Sequence, residues 1–177
     1  METNYNKPST AGIALKWGAI AGLLSIVFST VLFVTGQANN KLVSSLGLLI
    51  LIGGIVYAIK EFKSQSGGYI SFGEGLGLGS LASAVCGLLS AAYNVFYIKF
   101  VDDSSIKMAM QQSRLELEQK GMDDAQIDQA MAMAENLSGP GVLFLFGFFG
   151  TLLFGFIFSL IISAIMKNEH KDLNKFV

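Results

Sequence analysis

Residues Ser71 to Gly87 read SFGEGLGLGSLASAVCG, a stretch that combines five glycines with small and apolar side chains. Small residues recur here at every fourth position, at Gly75, Gly79, Ser83 and Gly87. This spacing places them on one face of a helix, where they form a smooth ribbon. Such ribbons let the backbones of two membrane helices approach closely, because lipid tails give apolar side chains no reason to associate. The stretch therefore predicts a closely packed helix within a membrane.

The composition of the whole chain also indicates a membrane protein. Of the 177 residues, 52% are hydrophobic and 14% are charged, and the mean hydropathy is +0.54. Soluble domains usually contain about 25% charged residues. The formal net charge of −1 argues against nucleic acid as a partner, because nucleic acid requires a basic surface.

Four apolar segments are long enough to cross a bilayer as helices, which takes about 20 residues each. They cover residues 12–35, 42–59, 72–100 and 142–166. We predict an all-α membrane protein with four transmembrane helices in one domain, residues 1–177, whose surroundings are the lipid bilayer. The first segment could instead be a secretory signal, because Gly36-Gln37-Ala38 resembles a cleavage site. Its length and the three segments that follow favour a retained span.

The distribution of basic residues predicts the orientation of the four spans. In this arrangement the termini and the loop after span two share one side, which holds seven lysines: Lys7, Lys16, Lys60, Lys63, Lys167, Lys171 and Lys175. The other side holds five basic residues: Lys41, Lys99, Lys107, Arg114 and Lys120. Because basic residues concentrate on the cytoplasmic side, we expect both termini to be cytoplasmic.

Small-residue ribbons also occur in the other spans. The fourth span has small residues at Gly147, Thr151, Gly155, Ser159 and Ser163, and the first has Ala14, Gly18 and Gly22. A weaker version in the second span consists of Gly47, Gly54 and Ala58. These ribbons predict close helix contacts within the chain, or between copies in a homo-oligomer. The alternative is a substrate path lined by small residues.

Glu74 is the acidic residue of the third span, and two interpretations are open. Ser71-Phe72-Gly73-Glu74 fits the S-x-x-E capping box, in which serine and glutamate satisfy the first backbone N–H groups of a helix. Lys16 lies at a similar depth in the first span, so the sequence predicts a Glu74–Lys16 polar pair. In the alternative, an ionisable residue at membrane depth marks a proton or ion path.

The sequence offers no pattern typical of catalysis, cofactor binding or metal binding. The single histidine, His170, lies near the C-terminus, which excludes an H-E-x-x-H motif, and no phosphate-binding G-x-x-x-x-G-K-[ST] loop is present. Cys86 lies in an apolar stretch and is interpreted as a small buried hydrophobe. We therefore expect no cofactor, no metal and no catalytic residue.

A polar insert, residues 102–138, separates spans three and four. Its first half places Ile106, Ala109, Met110 and Leu117 on one helical face, and its second half does the same with Ile127, Ala130, Met131, Ala134 and Leu137. Gly121 stands where a Schellman motif would end the first helix, and Asp123 with Gln126 would cap the second. We predict a two-helix hairpin outside the membrane. Its apolar faces could pack on each other, on lipid or on a partner protein.

The ordered set of GGYISFGEG after span two, LEQKGMDDAQIDQAM in the insert and a glycine-rich final span resembles the bacterial family catalogued as domain of unknown function 4199. The resemblance covers nearly the whole chain. It implies an integral membrane protein of a bacterium, and hence the cytoplasmic (inner) membrane, but it supplies no activity, ligand or functional residue.

Three functions remain open at this point. The first is a non-catalytic envelope protein that binds a membrane or envelope partner through residues 102–138. The second is a small oligomeric transporter or channel that uses Glu74. The third is a membrane enzyme, for which the sequence offers the fewest suitable residues.

Overall fold

The computed structural model describes residues 8–168, and all regular secondary structure in that range is α-helical. The seven helices of this range are α1 (Thr10–Val34), α2 (Lys41–Ser45), α3 (Gly47–Gln65), α4 (Phe72–Phe100), α5 (Ser104–Gln119), α6 (Asp124–Leu137) and α7 (Pro140–Met166). Four helical stretches are long and apolar enough to cross a membrane: α1, α2 with α3, α4 and α7. The prediction of four apolar helices is confirmed.

The helix bounds follow local sequence signals. Ser9 caps α1 by accepting a hydrogen bond from the Gly12 N–H, and proline occupies the first turn of α7, where its missing N–H costs nothing. The main difference from the sequence-based prediction concerns the second span, which was predicted to end at residue 59. In the structure, α3 continues to Gln65. Past the apolar segment, α3 still buries Phe62, while Lys60 is exposed and Lys63 is half-buried.

Helix α4 occupies the centre of the arrangement. It contacts α1, α3 and α7, and it is the most buried of the four long helices. The contacts show that α4 is parallel to α1 and antiparallel to α7: Gly18 and Gly22 of α1 meet successively later residues of α4, whereas successive α4 residues meet earlier positions of α7. Because three helices pack closely against α4, many of its positions have no room for a side chain. This explains its high glycine content.

The hydrophobic core is concentrated at one end of the bundle. It joins the beginning of α1, the end of α3 and the beginning of α4, with α7 contributing Phe158, Ile162 and Met166 at its edge. The largest fully buried side chains at this end are Ile55, Ile59, Phe62, Ile70 and Leu78. We call this the core end, and the opposite end, where α1 finishes and α3 begins, the cavity end.

At the core end, the connection between α3 and α4 is tied to the end of α7. Ile70 and Asn168 form an isolated antiparallel bridge, with N···O distances of 3.0 and 2.9 Å. Lys63 donates from Nζ to the Met166 carbonyl at 3.1 Å, which places a positive charge at the negative end of the α7 dipole. These bonds fix where α7 ends relative to α4.

Helices α5 and α6 pack against each other around a turn at Gly121. Gly121 has φ of +73°, and the Met122 N–H donates to the Leu117 carbonyl at 3.3 Å, as in a Schellman motif. Asp123 then caps α6 by accepting from the Gln126 N–H at 2.8 Å. The predicted end of α5 at Gly121 and the predicted cap of α6 by Asp123 are confirmed.

Candidate functional site

The small residues of α4 and α7 meet in one continuous register. A Cβ atom added at Gly75 would lie 2.7 Å from the Ser163 Oγ, and one added at Gly87 would lie 3.0 Å from the Thr151 Cβ. The complete set of facing pairs is Gly75–Ser163, Gly79–Ser159, Ser83–Gly155, Gly87–Thr151 and Ala91–Gly147. Each step of four residues along α4 matches a step of four back along α7, so the two predicted ribbons face each other.

This register brings the two helices together without room for a path between them. The hydroxyl of Ser83 donates to the Gly79 carbonyl of its own helix at 2.8 Å, and that of Ser159 donates to the Gly155 carbonyl at 2.6 Å. Both serines have no exposed surface. The ribbon between α4 and α7 therefore acts as a packing surface in this structure.

The ribbon of α1 meets another side of α4. A Cβ atom at Gly18 would lie 2.6 Å from the Ala82 carbonyl oxygen, and one at Gly22 would lie 2.9 Å from the Leu89 side chain. Because a backbone oxygen cannot move aside as a side chain can, Gly18 is the more constrained of the two positions.

Glu74 closes the capping box at the start of α4. Its Oε2 accepts hydrogen bonds from the Ser71 backbone N–H and hydroxyl, both at 2.9 Å, and the Ser71 Oγ accepts from the Glu74 N–H at 3.3 Å. A carboxylate in the first turn also faces the positive end of the helix dipole. The predicted capping box is confirmed.

The predicted pairing of Lys16 with Glu74 is not the one that the structure shows. Lys16 donates to both carboxylate oxygens of Glu61 on α3, at 3.0 and 2.8 Å. The sequence-based prediction chose the wrong carboxylate because it ended the second span before Glu61. The longer α3 carries Glu61 alongside α1, in reach of Lys16.

Glu61 is the centre of a polar cluster between α1 and α3, consisting of Lys16, Trp17, Tyr57, Glu61 and Gln65. Besides Lys16, the Trp17 Nε1–H and the Gln65 amide donate to its carboxylate, the latter at 3.1 Å. The Trp17 ring stacks on Tyr57 with centroids 5.0 Å apart. The Glu61 side chain retains 21% of its exposure and that of Lys16 retains 54%. The Lys16 ammonium balances the charge of the carboxylate, and the bonds from Lys16 and Trp17 join α1 to α3.

Glu61 is the residue that sequence reasoning missed. The available signal was the helical spacing of Tyr57, Glu61 and Gln65, which puts all three on one face. A helix continued by that pattern would have brought Glu61 to the depth of Lys16 on a neighbouring antiparallel span.

A polar cavity of about 250 Å³ lies at the cavity end, between α1, α4 and the beginning of α3. Ser25, Ser29, Ser44 and Asn94 supply its polar groups, and Phe28, Leu32 and Phe33 form apolar walls. Beneath it, the Ser25 hydroxyl lies 3.9 Å from the sulfur of Cys86, which is only 2% exposed. The burial of Cys86 agrees with its interpretation as a small hydrophobe.

Some acidic residues of the polar insert form exposed ion pairs. In α5 and α6, Asp103 pairs with Lys107 at 2.9 Å, and Arg114 bridges to Asp128 at 3.6 Å. Among residues 8–168 no group of three or more His, Cys, Asp or Glu side chains could hold a metal ion. His170 lies outside the described residues.

The family described as protein of unknown function (DUF4199) matches residues 16–168. The chain belongs to this family. The match includes the Glu61 cluster, the capping box, both ribbons and the helix pair α5–α6. Comparison with curated proteins and with solved structures finds no match. The family match supplies no molecular function, so function has to be argued from the geometry.

Proposed function

We propose that this chain is a non-catalytic integral membrane protein that binds a protein partner of the bacterial envelope through α5 and α6. In this proposal α1, α2 with α3, α4 and α7 cross the inner membrane, both termini are cytoplasmic, and residues 102–138 form an extramembrane hairpin on the opposite side.

The outer surfaces of the long helices support the membrane placement. Large apolar side chains of α1 and α7 are exposed along the whole length of each helix; Ile165 of α7, for example, keeps 77% of its accessible surface. Soluble proteins rarely expose apolar surface on this scale, whereas lipid covers it at no cost. Trp17 and Tyr57 at the core end also suit the headgroup region of a membrane.

The self-contained character of the α5–α6 pair is the observation that carries the partner-binding proposal. Ile127 of α6 is 1% exposed, and α6 contacts mainly α5, while α5 touches the bundle near its first turn. One such contact is a hydrogen bond from the Asn39 amide to the Ser105 carbonyl at 3.0 Å. A helix pair whose α6 contacts mainly α5, and which meets the bundle near the start of α5, suits a binding module.

The exposed surface of this unit supplies binding groups. Met108, Leu115, Met133 and Leu137 expose between 40% and 63% of their surface among charged neighbours. Flexible methionines are typical of adaptable protein-binding surfaces. Ala109 and Leu137, which were predicted to lie on the inner apolar face, are exposed, so the apolar contact inside the pair is smaller than the sequence suggested.

The alternative of an oligomeric transporter using Glu74 has less support. The Glu74 carboxylate is bonded to Ser71 at the start of the helix, and the contact between α4 and α7 leaves no gap at the small-residue positions. An enzyme would require reactive groups that the described geometry does not bring together.

Cysteine labelling tests the topology. In a Cys86→Ala background, Ser113→Cys on α5 should react with an impermeant maleimide applied from outside spheroplasts. Ser64→Cys near the end of α3 should react only after the membrane is opened. The reverse pattern would invert the proposed orientation.

Crosslinking in native membranes tests partner binding. A photoreactive residue at Met133 should give a defined crosslinked product, and Leu115→Glu should abolish it, whereas Gln111→Glu, an exposed polar position of the same helix, should leave it unchanged. Replacing residues 102–138 by a glycine-serine linker should keep the protein in the membrane without the product. If no product forms at Met133, the module does not bind a protein in these membranes.

A further inference from the structure

The cavity at the cavity end is a feature that neither the packing of the helices nor the α5–α6 unit explains. It has a volume of about 250 Å³ and is lined by residues of α1, α4, the α1–α3 connection and the start of α3. The cavity is large enough for a small solute and too small for a lipid headgroup with its chains.

The lining determines which kind of molecule fits. Three hydroxyls (Ser25, Ser29 and Ser44) and the Asn94 carboxamide line the cavity, and no Lys, Arg, Asp or Glu does. An ion would therefore enter without a counter-charge, at a high cost. An uncharged molecule with hydroxyl or amide groups would exchange its hydrogen bonds to water for bonds to these side chains.

Part of the hydrogen-bonding capacity of the lining is already used. The groups that remain include both donors and acceptors. Asn94 donates one N–H to the Ser90 carbonyl at 2.7 Å, and a carboxamide still has a second N–H and an acceptor oxygen. Ser44 donates to the Ala38 carbonyl at 2.9 Å, so its oxygen can still accept. A ligand that carries both donors and acceptors satisfies this set best.

The walls are held in place by contacts outside the cavity. Phe33 stacks on Tyr97 with ring centroids 4.4 Å apart, and Thr30 and Tyr93 share a hydrogen bond of 2.6 Å between α1 and α4. Because both contacts join α1 to α4, they keep the cavity open without a ligand. A preformed site loses little entropy on binding.

The cavity is closed towards the core end. Below Ser25, Gly22 of α1 packs against Leu89 and the Cys86 backbone of α4, so the two helices are in direct contact. A solute in the cavity would therefore meet a wall halfway along the bundle. This geometry is that of a binding site and not of a channel.

We propose that this cavity binds a small uncharged solute bearing neighbouring hydroxyl or amide groups. The Asn94 carboxamide and the Ser29 and Ser44 hydroxyls hydrogen-bond to the solute, and Phe28 and Leu32 contact its carbon atoms. The need for an occupant rests on the proposed membrane placement, because polar groups inside a span lack water and require other partners.

Protection of an introduced thiol tests the site, with glycerol as the probe. In purified Cys86→Ala protein in detergent, a thiol is introduced as Ala38→Cys, a lining position whose side chain has no proposed bond to the solute. This thiol is modified with methyl methanethiosulfonate in increasing glycerol. Modification should slow by about threefold at twice the dissociation constant, since bound protein is protected in proportion to 1 + [L]/Kd. Acetate and ethylammonium at equal concentrations should give no protection. The matched control, Ser113→Cys on exposed α5, reports any general effect of glycerol on the reagent.

Asn94→Leu in the Ala38→Cys background should abolish glycerol protection while the thiol still reacts, and Ser44→Ala should weaken it. Circular dichroism and gel filtration check that both variants are folded. Equal slowing at Ala38→Cys and Ser113→Cys, protection by acetate, or protection that survives Asn94→Leu would each overturn the proposal. Since the measurement is made in detergent without partners, its result is independent of topology and of α5–α6 binding.

Discussion

Lys16 of α1 and Glu61 of α3 form an ion pair, with 2.8 Å between Nζ and Oε2, at the core end of the bundle. The pair joins two helices that also share the Trp17–Tyr57 stack and the contact of Gly54 with Ala21. In the proposed membrane placement, this ion pair lets each charge satisfy the other at the end of a span. It therefore fixes how far α1 and α3 slide past each other.

Removing the carboxylate should therefore destabilise the bundle more than removing the ammonium. Glu61→Leu leaves the Trp17 and Gln65 donors without their acceptor and should lower the free energy of unfolding by about 2 kcal/mol. Lys16→Met should cost about 1 kcal/mol or less, because this side chain is half exposed. Thermal unfolding in detergent measures both. Equal losses would show that the cluster depends on the ion pair alone.

Two neighbouring glycines of α4 should respond in opposite directions to alanine. At Gly79 a Cβ atom would collide with Ser159 and lie 3.0 Å from Ile55, so Gly79→Ala should cost about 1–3 kcal/mol. At Gly77 nothing lies within 4 Å, so Gly77→Ala should stabilise the helix by about 0.5–1 kcal/mol. Unfolding in increasing sodium dodecyl sulfate compares them. Similar stabilities would refute the α4–α7 register.

The capping box predicts that substitution of Ser71 lowers stability more than substitution of Glu74. Ser71→Ala removes the acceptor for the Glu74 N–H and should cost about 1 kcal/mol. Glu74→Gln keeps an oxygen that can accept from the Ser71 N–H, so its loss should be smaller. Both variants should remain folded, as checked by gel filtration of the detergent-extracted protein. A proton flux into proteoliposomes that Glu74→Gln abolishes would instead support the transport alternative.

Ile127 should stabilise α6 locally and not the whole bundle. Ile127→Ala should cost about 2–5 kcal/mol within the α5–α6 pair, because a fully buried side chain would leave a cavity. Hydrogen exchange should then become faster in residues 104–137 and stay unchanged in α4. Met133→Ala, which truncates an exposed side chain of the same helix, controls for the loss of side-chain atoms without a buried cavity. Faster exchange in α4 would show that the pair supports the bundle.

The first turn of α5 should weaken in acid. The Ser104 N–H and hydroxyl lower the pKa of Asp102, and their bonds to the carboxylate measure 2.9 and 2.7 Å. A carboxyl whose pKa is lower in the folded state contributes stability above its unfolded pKa and loses it as the pH falls through the folded pKa. Ser104→Ala should raise the pKa of Asp102 towards its ordinary value, measured by carboxyl ¹³C chemical shifts. An unchanged pKa would contradict this assignment.

The sequence by itself determined the helices and several of their ends, because these depend on neighbouring residues. Apolar length predicts the four long helices, and the Ser71–Glu74, Gly121 and Asp123–Gln126 signals predict local hydrogen bonds that the structure contains. Small residues at every fourth position also predicted which faces of α4 and α7 would be in contact. All of this information lies within a few turns of chain.

Only the tertiary structure decided which groups meet across helices. Lys16 could reach Glu61 or Glu74 as far as depth and charge are concerned, and the length of α3 together with its antiparallel approach to α1 selected Glu61. Likewise, Ser29, Ser44 and Asn94 are far apart in the sequence, and the cavity exists because α1, α3 and α4 leave space at one end. Side-chain pairing over long distances in the chain depends on helix rotation and register, which the sum of all contacts determines and no local pattern encodes.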